Sequence, residues 1–337
     1  MRAWMLPAAF GLAVLASPAA GAGLMGVPCR TPAPVHCAPG GCTPTELGDT
    51  GNAVEPVTGR KFFLDYPCDL KPGEKVTFVL SLHGGGSIGN WQRHYFPLLD
   101  LKEKYRLVVA TPTGTQFGWK PEADDAYLQG IVEAVEAALG PDRIRAFWLA
   151  GHSLGGQTSN RLLATPFYRS RLTGWVSLSG GRLGSRREDV RAPIPAGVPL
   201  PPGAGPGPPR LVADASLLPD FPFSHIYATG EHELTAAGLP ESSRWAERLG
   251  CGPRAPAVEV VDTRAGYVED SRPQANPNPI WGLKARPGTA RLYRYPACRE
   301  GRVVADVVRL DKGHTEGLEP HITEQIVKLM LSAGPGR

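Results

Sequence analysis

The chain has 337 residues, 42% of them hydrophobic and 20% charged, and a formal net charge of +4. These values exclude an intrinsically disordered chain and leave enough apolar residues for one sizeable core. The basic residues are scattered, with no cluster longer than "SRRE", which argues against a nucleic-acid-binding surface.

Residues 1–22 carry one positive charge, a short apolar stretch ending near Ala16, and small residues at Ala20 and Ala22. This pattern predicts a cleaved export signal and a secreted or periplasmic protein; the apolar stretch is too short for a stable membrane span. A segment rich in Cys, Pro and Gly follows over 23–59, and the remaining elements predict one catalytic domain over 60–333. The six cysteines after the signal are Cys29, Cys37, Cys42, Cys68, Cys251 and Cys298. An even number in an exported chain favours disulfides over metal ligation, and the spacing repeats no structural zinc pattern. The two late cysteines, Cys251 and Cys298, are expected to pair with each other, and the four early ones among themselves.

Further along, "KVTFVLSLHGGG" (75–86) reads as a buried strand running into glycines, and "YRLVVATPTG" (105–114) repeats the design. Between them "NWQRHYFPLLDLKEKY" can carry a helix broken near Pro97. The stretch 123–140 has Ile131, Val132, Val135 and Leu139 at helical spacing, with Asp124 and Asp125 read as helix-start residues. Four more strand candidates follow at 143–150, 172–181, 223–230 and 301–310, with helical patterns in "GGQTSNRLLA" and "LPESSRWAERLG". Strands alternating with helices predict an α/β domain, a mostly parallel sheet covered on both faces. Two irregular insertions interrupt it: the Pro/Gly-rich stretch 191–220, read as lacking any regular element, and 271–288, which carries Trp281.

The chemistry centres on "AGHSLGG" at 150–156, where Gly151-His152-Ser153-Leu154-Gly155 matches G-x-S-x-G between a strand and a helix. A serine on that sharp turn needs small neighbours, and the context predicts Ser153 as a nucleophile. Its partners should follow in the order acid, then His, each after a later strand. His314, in the glycine-flanked loop "LDKGHTEG", is the expected base; His321 reads as a helix-start residue, and His152 and His225 as elbow and sheet neighbours. Glu231 and Glu233 both follow the strand at 223–230 and are alternative acids. The "HGGG" loop offers backbone N–H groups at Gly84 and Gly85 for an oxyanion, with the N–H of Leu154 as the second donor. Such a set calls for no cofactor and no metal. Trp91, Trp119 and Trp281 fall in loops or at loop-helix junctions and are candidates for stacking on substrate.

With those pieces in order, the chain resembles the secreted α/β-hydrolase esterases of the polyhydroxybutyrate depolymerase and feruloyl esterase type. The resemblance rests on "LSLHGGGSIGNW", "DDAYLQGIVEAV", "GHSLGG", "RWAERLGCG" and "ACREG…VRLDKGHTEG", and spans roughly residues 60–330. It implies an α/β-hydrolase fold and hydrolysis of carboxylic esters through an acyl-enzyme. Feruloyl or acetyl esters of plant polysaccharide, or hydroxyalkanoate oligomers, are the implied substrates. In such esterases the acid stands three places after the glycine closing its strand, which falls on Glu233, and cysteines pair at positions resembling Cys251 and Cys298. The chain departs from the pattern in having Glu as the acid, "GHTEG" where an aromatic often follows Gly-His-Thr, and the 191–220 insertion. Two other readings stay open on the same fold: an inactive secreted binding protein, and a peptidase.

Overall fold

A computed structural model describes residues 23–29, 51–188, 210–213, 218–268, 280–282 and 285–334. The expected export signal at 1–22, Cys37, Cys42 and most of the 191–220 insertion lie outside the described residues.

Strands β1 (Ala53–Val54), β2 (Lys61–Asp65), β3 (Val76–Leu82), β4 (Leu107–Pro112), β5 (Ile144–His152) and β6 (Gly174–Leu178) precede the insertion. A hairpin of β7 (Ser185–Glu188) and β8 (Arg210–Ala213) brackets it; then come β9 (Ser224–Gly230), β10 (Val258–Asp262), β11 (Gly288–Tyr295) and β12 (Val304–Arg309). Apart from the hairpin they join one sheet in the order β1-β2-β4-β3-β5-β6-β9-β12-β11-β10. The six strands from β4 to β12 run parallel, and antiparallel strands flank them on both sides. This is an α/β-hydrolase fold.

The sequence pattern explains the layers. β3 is buried along its whole length because successive side chains enter opposite cores: Phe78, Leu80 and Leu82 on one face, Val79 on the other. Helix α1 (Gly89–Tyr95) covers the Val79 face, together with the late helix described below; α2 (Pro121–Leu139) and α3 (Leu154–Leu163) cover the Phe78 face. Pro97 does end α1 early, and the chain continues as a 3₁₀ turn at Leu98–Leu101. The short helix α4 (Arg244–Arg248) is one turn of the longer helix that "LPESSRWAERLG" suggests, and Cys251 beyond it is disulfide-bonded to Cys298. Cys29 is bonded to Cys68. Helix α5 (Pro320–Leu331) returns on the Val79 face, against β10 and β9.

Three expectations need correction. Within 191–220, Arg210–Ala213 is a strand, because "RLVA" escapes the proline run and pairs with Ser185–Glu188. Pro121 opens α2, and of the two expected helix-start residues only Asp124 lies in its first turn, where it accepts from the N–H groups of the capping Lys120 (2.6 Å) and of Thr115 (3.1 Å) and pairs with Arg60 (2.8 Å); Asp125 instead pairs with Arg161 on α3. The antiparallel strands β2, β10 and β11 also escape a reading based on buried apolar runs, because they flank the sheet and expose part of their length.

The order in which strands are added reverses at β3: β4 lies on one side of it and β5 on the other. The carboxyl ends of β3 and β5 therefore lie at a topological switch point, the place where open α/β sheets bind ligands. Among the described residues no helix is long and apolar enough to cross a membrane.

Candidate active site

Ser153 occupies the turn between β5 and α3 with φ 50° and ψ −115°, a conformation that costs a non-glycine residue about 1–3 kcal/mol. Two features hold it there. Its N–H donates to the Leu178 carbonyl at the end of β6 (2.9 Å), and the neighbouring glycines permit contacts that no side chain allows. A Cβ on Gly155 would sit 2.3 Å from the Leu82 carbonyl oxygen, and one on Gly151 2.4 Å from that of Gly155.

The loop after β3 lies against this turn. A Cβ built on Gly84 would come within 3.3 Å of the Ser153 Cβ, and one on Gly85 within 3.6 Å of the Leu154 side chain. Among the described residues, no acceptor takes the N–H of Gly84, Gly85 or Leu154. His83 fixes the loop: Nδ1 donates to the Gly84 carbonyl (2.7 Å) and Nε2 accepts from the Gly114 N–H (2.9 Å). Burial holds this imidazole down at about 4, so the neutral form required by that pairing persists. Trp119 donates its indole N–H to the His83 carbonyl (2.8 Å).

The two residues expected downstream meet. His314, in the loop after β12, donates from Nδ1 to the Glu233 carboxylate at 2.6 Å. The other Glu233 oxygen accepts from the Ser179 hydroxyl (2.5 Å), the Gly230 N–H (3.0 Å) and the Thr229 hydroxyl (3.1 Å). Burial would raise the Glu233 carboxyl. His314, by charge and hydrogen bond, followed by Ser179 and Gly230, outweighs burial and holds it down at about 2. An ionised Glu233 only accepts, so Nδ1 of His314 carries a proton, and the tautomer this selects is the one whose Nε2 offers its lone pair. Glu231 is exposed and accepts the Asp311 N–H instead (2.9 Å).

The three expected residues thus stand at the carboxyl ends of β5, β9 and β12. A hydrogen-bonded path links them: Ser153 to Leu178, then Ser179 to Ala228 (2.7 Å) and to Glu233, then His314. Ser179 was missed in the sequence. The usable signal is position, a polar residue closing a buried parallel strand before Gly180-Gly181; in the fold Ser179 itself has φ 54°.

The tryptophans separate. Trp91 is buried and stacks on Tyr95 (4.9 Å), and Trp119 is buried under the glycine loop, so neither offers a face to a ligand. Trp281 is 47% exposed and stands edge-on to the His314 ring at 5.4 Å; its carbonyl accepts the Thr315 N–H (2.9 Å). Among the described residues no group of three or more His, Cys, Asp or Glu side chains is arranged to hold a metal ion.

No family model matches the sequence, and no curated protein matches it. Solved structures that resemble it include an acetyl xylan esterase from Aspergillus awamori, 14% identical over 81% of this chain and 94% of that one, with a TM-score of 0.44. A thermophilic esterase, Est2 of Thermogutta terrifontis, is 16% identical over 50% of this chain and 66% of its own, with a TM-score of 0.32. The fluorophosphonate-binding serine hydrolase FphF of Staphylococcus aureus is 14% identical over 35% of this chain, with a TM-score of 0.28. The chain spans 51% of the length of FphF and 66% of that of Est2. Likenesses at this level carry no argument about chemistry, which rests on the geometry above.

Proposed function

We propose that the protein is an exported serine hydrolase of carboxylic esters that works through an acyl-enzyme. The observation that carries this reading is the buried Glu233–His314 hydrogen bond at the carboxyl edge of the sheet that also presents the strained Ser153. Ser153 Oγ attacks the ester carbonyl carbon while His314 Nε2 takes its proton. The tetrahedral oxyanion is held by the N–H groups of Leu154 and the Gly84–Gly85 loop. As the intermediate collapses, the C–O bond to the alcohol breaks and the alcohol leaves with the proton from His314. Water then attacks the acyl carbon, giving its proton to His314, and Ser153 regains that proton as the acid departs. Glu233 orients the imidazole and stabilises its charged form.

The leader-like N-terminus and the two disulfides support export. Trp281, exposed beside the base, is the aromatic contact for the substrate's alcohol or acyl ring. The test is a hydrolysis panel of short p-nitrophenyl esters, methyl ferulate, acetylated xylan, hydroxybutyrate oligomers and, as the amide arm, peptidyl p-nitroanilides, run beside Ser153→Ala. The expected result is turnover of at least one ester, covalent labelling of Ser153 by a fluorophosphonate, and loss of both in Ser153→Ala with folding unchanged. Folded protein that neither labels nor turns over any ester would leave a binding protein on this fold; turnover confined to amides would make it a peptidase.

A further inference from the structure

We infer that His152 is a positioning residue for this hydrolysis: its Nε2–H and the Tyr95 hydroxyl together hold the backbone carbonyl of His314, tying the base to the nucleophile's own strand. The inference rests on the function proposed above.

His152 is the residue before Ser153 and is 3% exposed. Its Nε2 lies 2.8 Å from the His314 carbonyl oxygen, and the Tyr95 hydroxyl donates to the same oxygen at 3.0 Å. A carbonyl only accepts, so Nε2 carries the ring proton and Nδ1 is bare. Among the described residues Nδ1 has no hydrogen-bond partner. Burial, and then the neighbouring His314, push this imidazole well below its usual range, so it stays in the neutral form that this tautomer needs.

The ring is wedged. Tyr95 packs on it at 4.0 Å, Trp91 at 5.7 Å and His314 at 4.8 Å. On the Nδ1 side, a Cβ on Gly84 would lie 2.6 Å away, so the glycine loop approaches this closely only because it has no side chain. His314 is then restrained at three points. Its N–H donates to Ile280 (2.7 Å), its carbonyl is held by His152 and Tyr95, and its ring is held by Glu233. The imidazole of His152 thereby touches each component that must stay in register during attack: the glycine loop, the nucleophile turn and the base. An apolar side chain of the same bulk would fill the space and leave the His314 carbonyl to one donor.

The experiment compares His152→Gln, whose amide nitrogen reaches the place of Nε2, with His152→Asn, whose amide stops at the place of Nδ1, and with His152→Leu. Readouts on the full chain are kcat and KM with p-nitrophenyl acetate and the rate of Ser153 labelling by a fluorophosphonate. Near-ultraviolet circular dichroism and the urea midpoint report folding. Since a displacement of about 1 Å costs a reacting group roughly 10²-fold, kcat and labelling should fall about 30- to 100-fold in the Asn and Leu variants, with KM within about twofold. The Gln variant should keep kcat within about threefold of the parent. Equal rates in folded Asn and Gln variants, or a loss confined to KM, would overturn the inference. Should the Leu variant not fold, the Asn–Gln comparison decides alone. If no His152 variant folds, Tyr95→Phe decides: unchanged kcat and labelling overturn the inference, and a severalfold fall in both upholds it. A parent protein that neither labels at Ser153 nor hydrolyses the ester overturns the proposed function first, an outcome distinct from failure confined to the variants.

Discussion

Glu231 and Glu233 are two residues apart, chemically identical, and equally placed after β9. What separates them is the backbone: the 3₁₀ turn at Glu231–Glu233 directs Glu233 inward, toward Ser179, Thr229 and His314, and leaves Glu231 at the surface. Sequence spacing names the pair but not the member, because the direction of a side chain depends on that turn. Replacing Glu233 with Gln should lower kcat by roughly 10³- to 10⁴-fold, since an amide can favour the wrong tautomer of His314; Glu231→Gln should leave kcat within about twofold. A steady-state comparison of the two variants checks this. There is also a pH consequence with a definite sign. The Glu233 carboxyl is depressed from an ordinary 4.5 to about 2. Its contribution to stability is therefore fully present above about 4.5 and is lost as pH falls toward 2.

At the scale of elements, the loop between β12 and α5 is built around charges where a smaller apolar plug would be simpler. Arg309 at the end of β12 bonds Glu319 (3.0 Å) and the carbonyls of Glu316 (2.7 Å) and Gly317 (2.8 Å). Lys312 pairs with Glu319 (2.9 Å), and the Glu316 carboxylate accepts the Gly313 N–H (2.6 Å) immediately before His314. All four side chains are almost completely buried, so the set must be kept whole. Glu319→Gln strips the shared carboxylate from two buried cations and should destabilise the fold by about 3–5 kcal/mol, read as a lower urea midpoint. The same change should lower kcat, because the loop that carries His314 loses its anchor. This device was half-visible in the sequence: "GHTEGLEP" shows an unusual acid after Gly-His-Thr, but its partners Arg309 and Lys312 look like ordinary surface charges until the strand end is known to be buried. The parallel strands were legible for the opposite reason. β3, β5, β6 and β9 are apolar runs closed by glycine or a polar turn, whereas β2, β10 and β11 mix charges with apolar residues because they flank the sheet.

At the scale of the whole molecule, three buried imidazoles among the described residues are held below their ordinary range, at the ends of β3 and β5 and within β9. Burial holds His83 at about 4 and His225 at about 3, and pushes His152 well below its usual range. The sequence places His152 and His225 as elbow and sheet neighbours but does not show their burial, because a histidine beside a strand end is as well suited to water as to the core. Each has a structural task in its neutral form: His83 accepts from Gly114, His225 packs on Trp175 at 4.8 Å, and His152 holds His314. In the unfolded chain these rings protonate near 6.5, whereas in the fold they do so only well below it. Between those limits the unfolded state binds more protons, so stability rises with pH and is lost as pH falls below about 6.5. The lowered carboxyl of Glu233 acts in the same direction further down, from about 4.5 to 2. Urea unfolding at pH 7, 6 and 5 should therefore show a steady loss on acidification. Its slope should approach about 1.4 kcal/mol per pH unit for each histidine that protonates only on unfolding. His225→Gln should reduce that slope by one such increment whatever it does to stability at pH 7. A flat profile between pH 7 and 5 would mean that these rings are solvated in the native protein, which would remove the neutral supports on which the glycine loop and His314 depend.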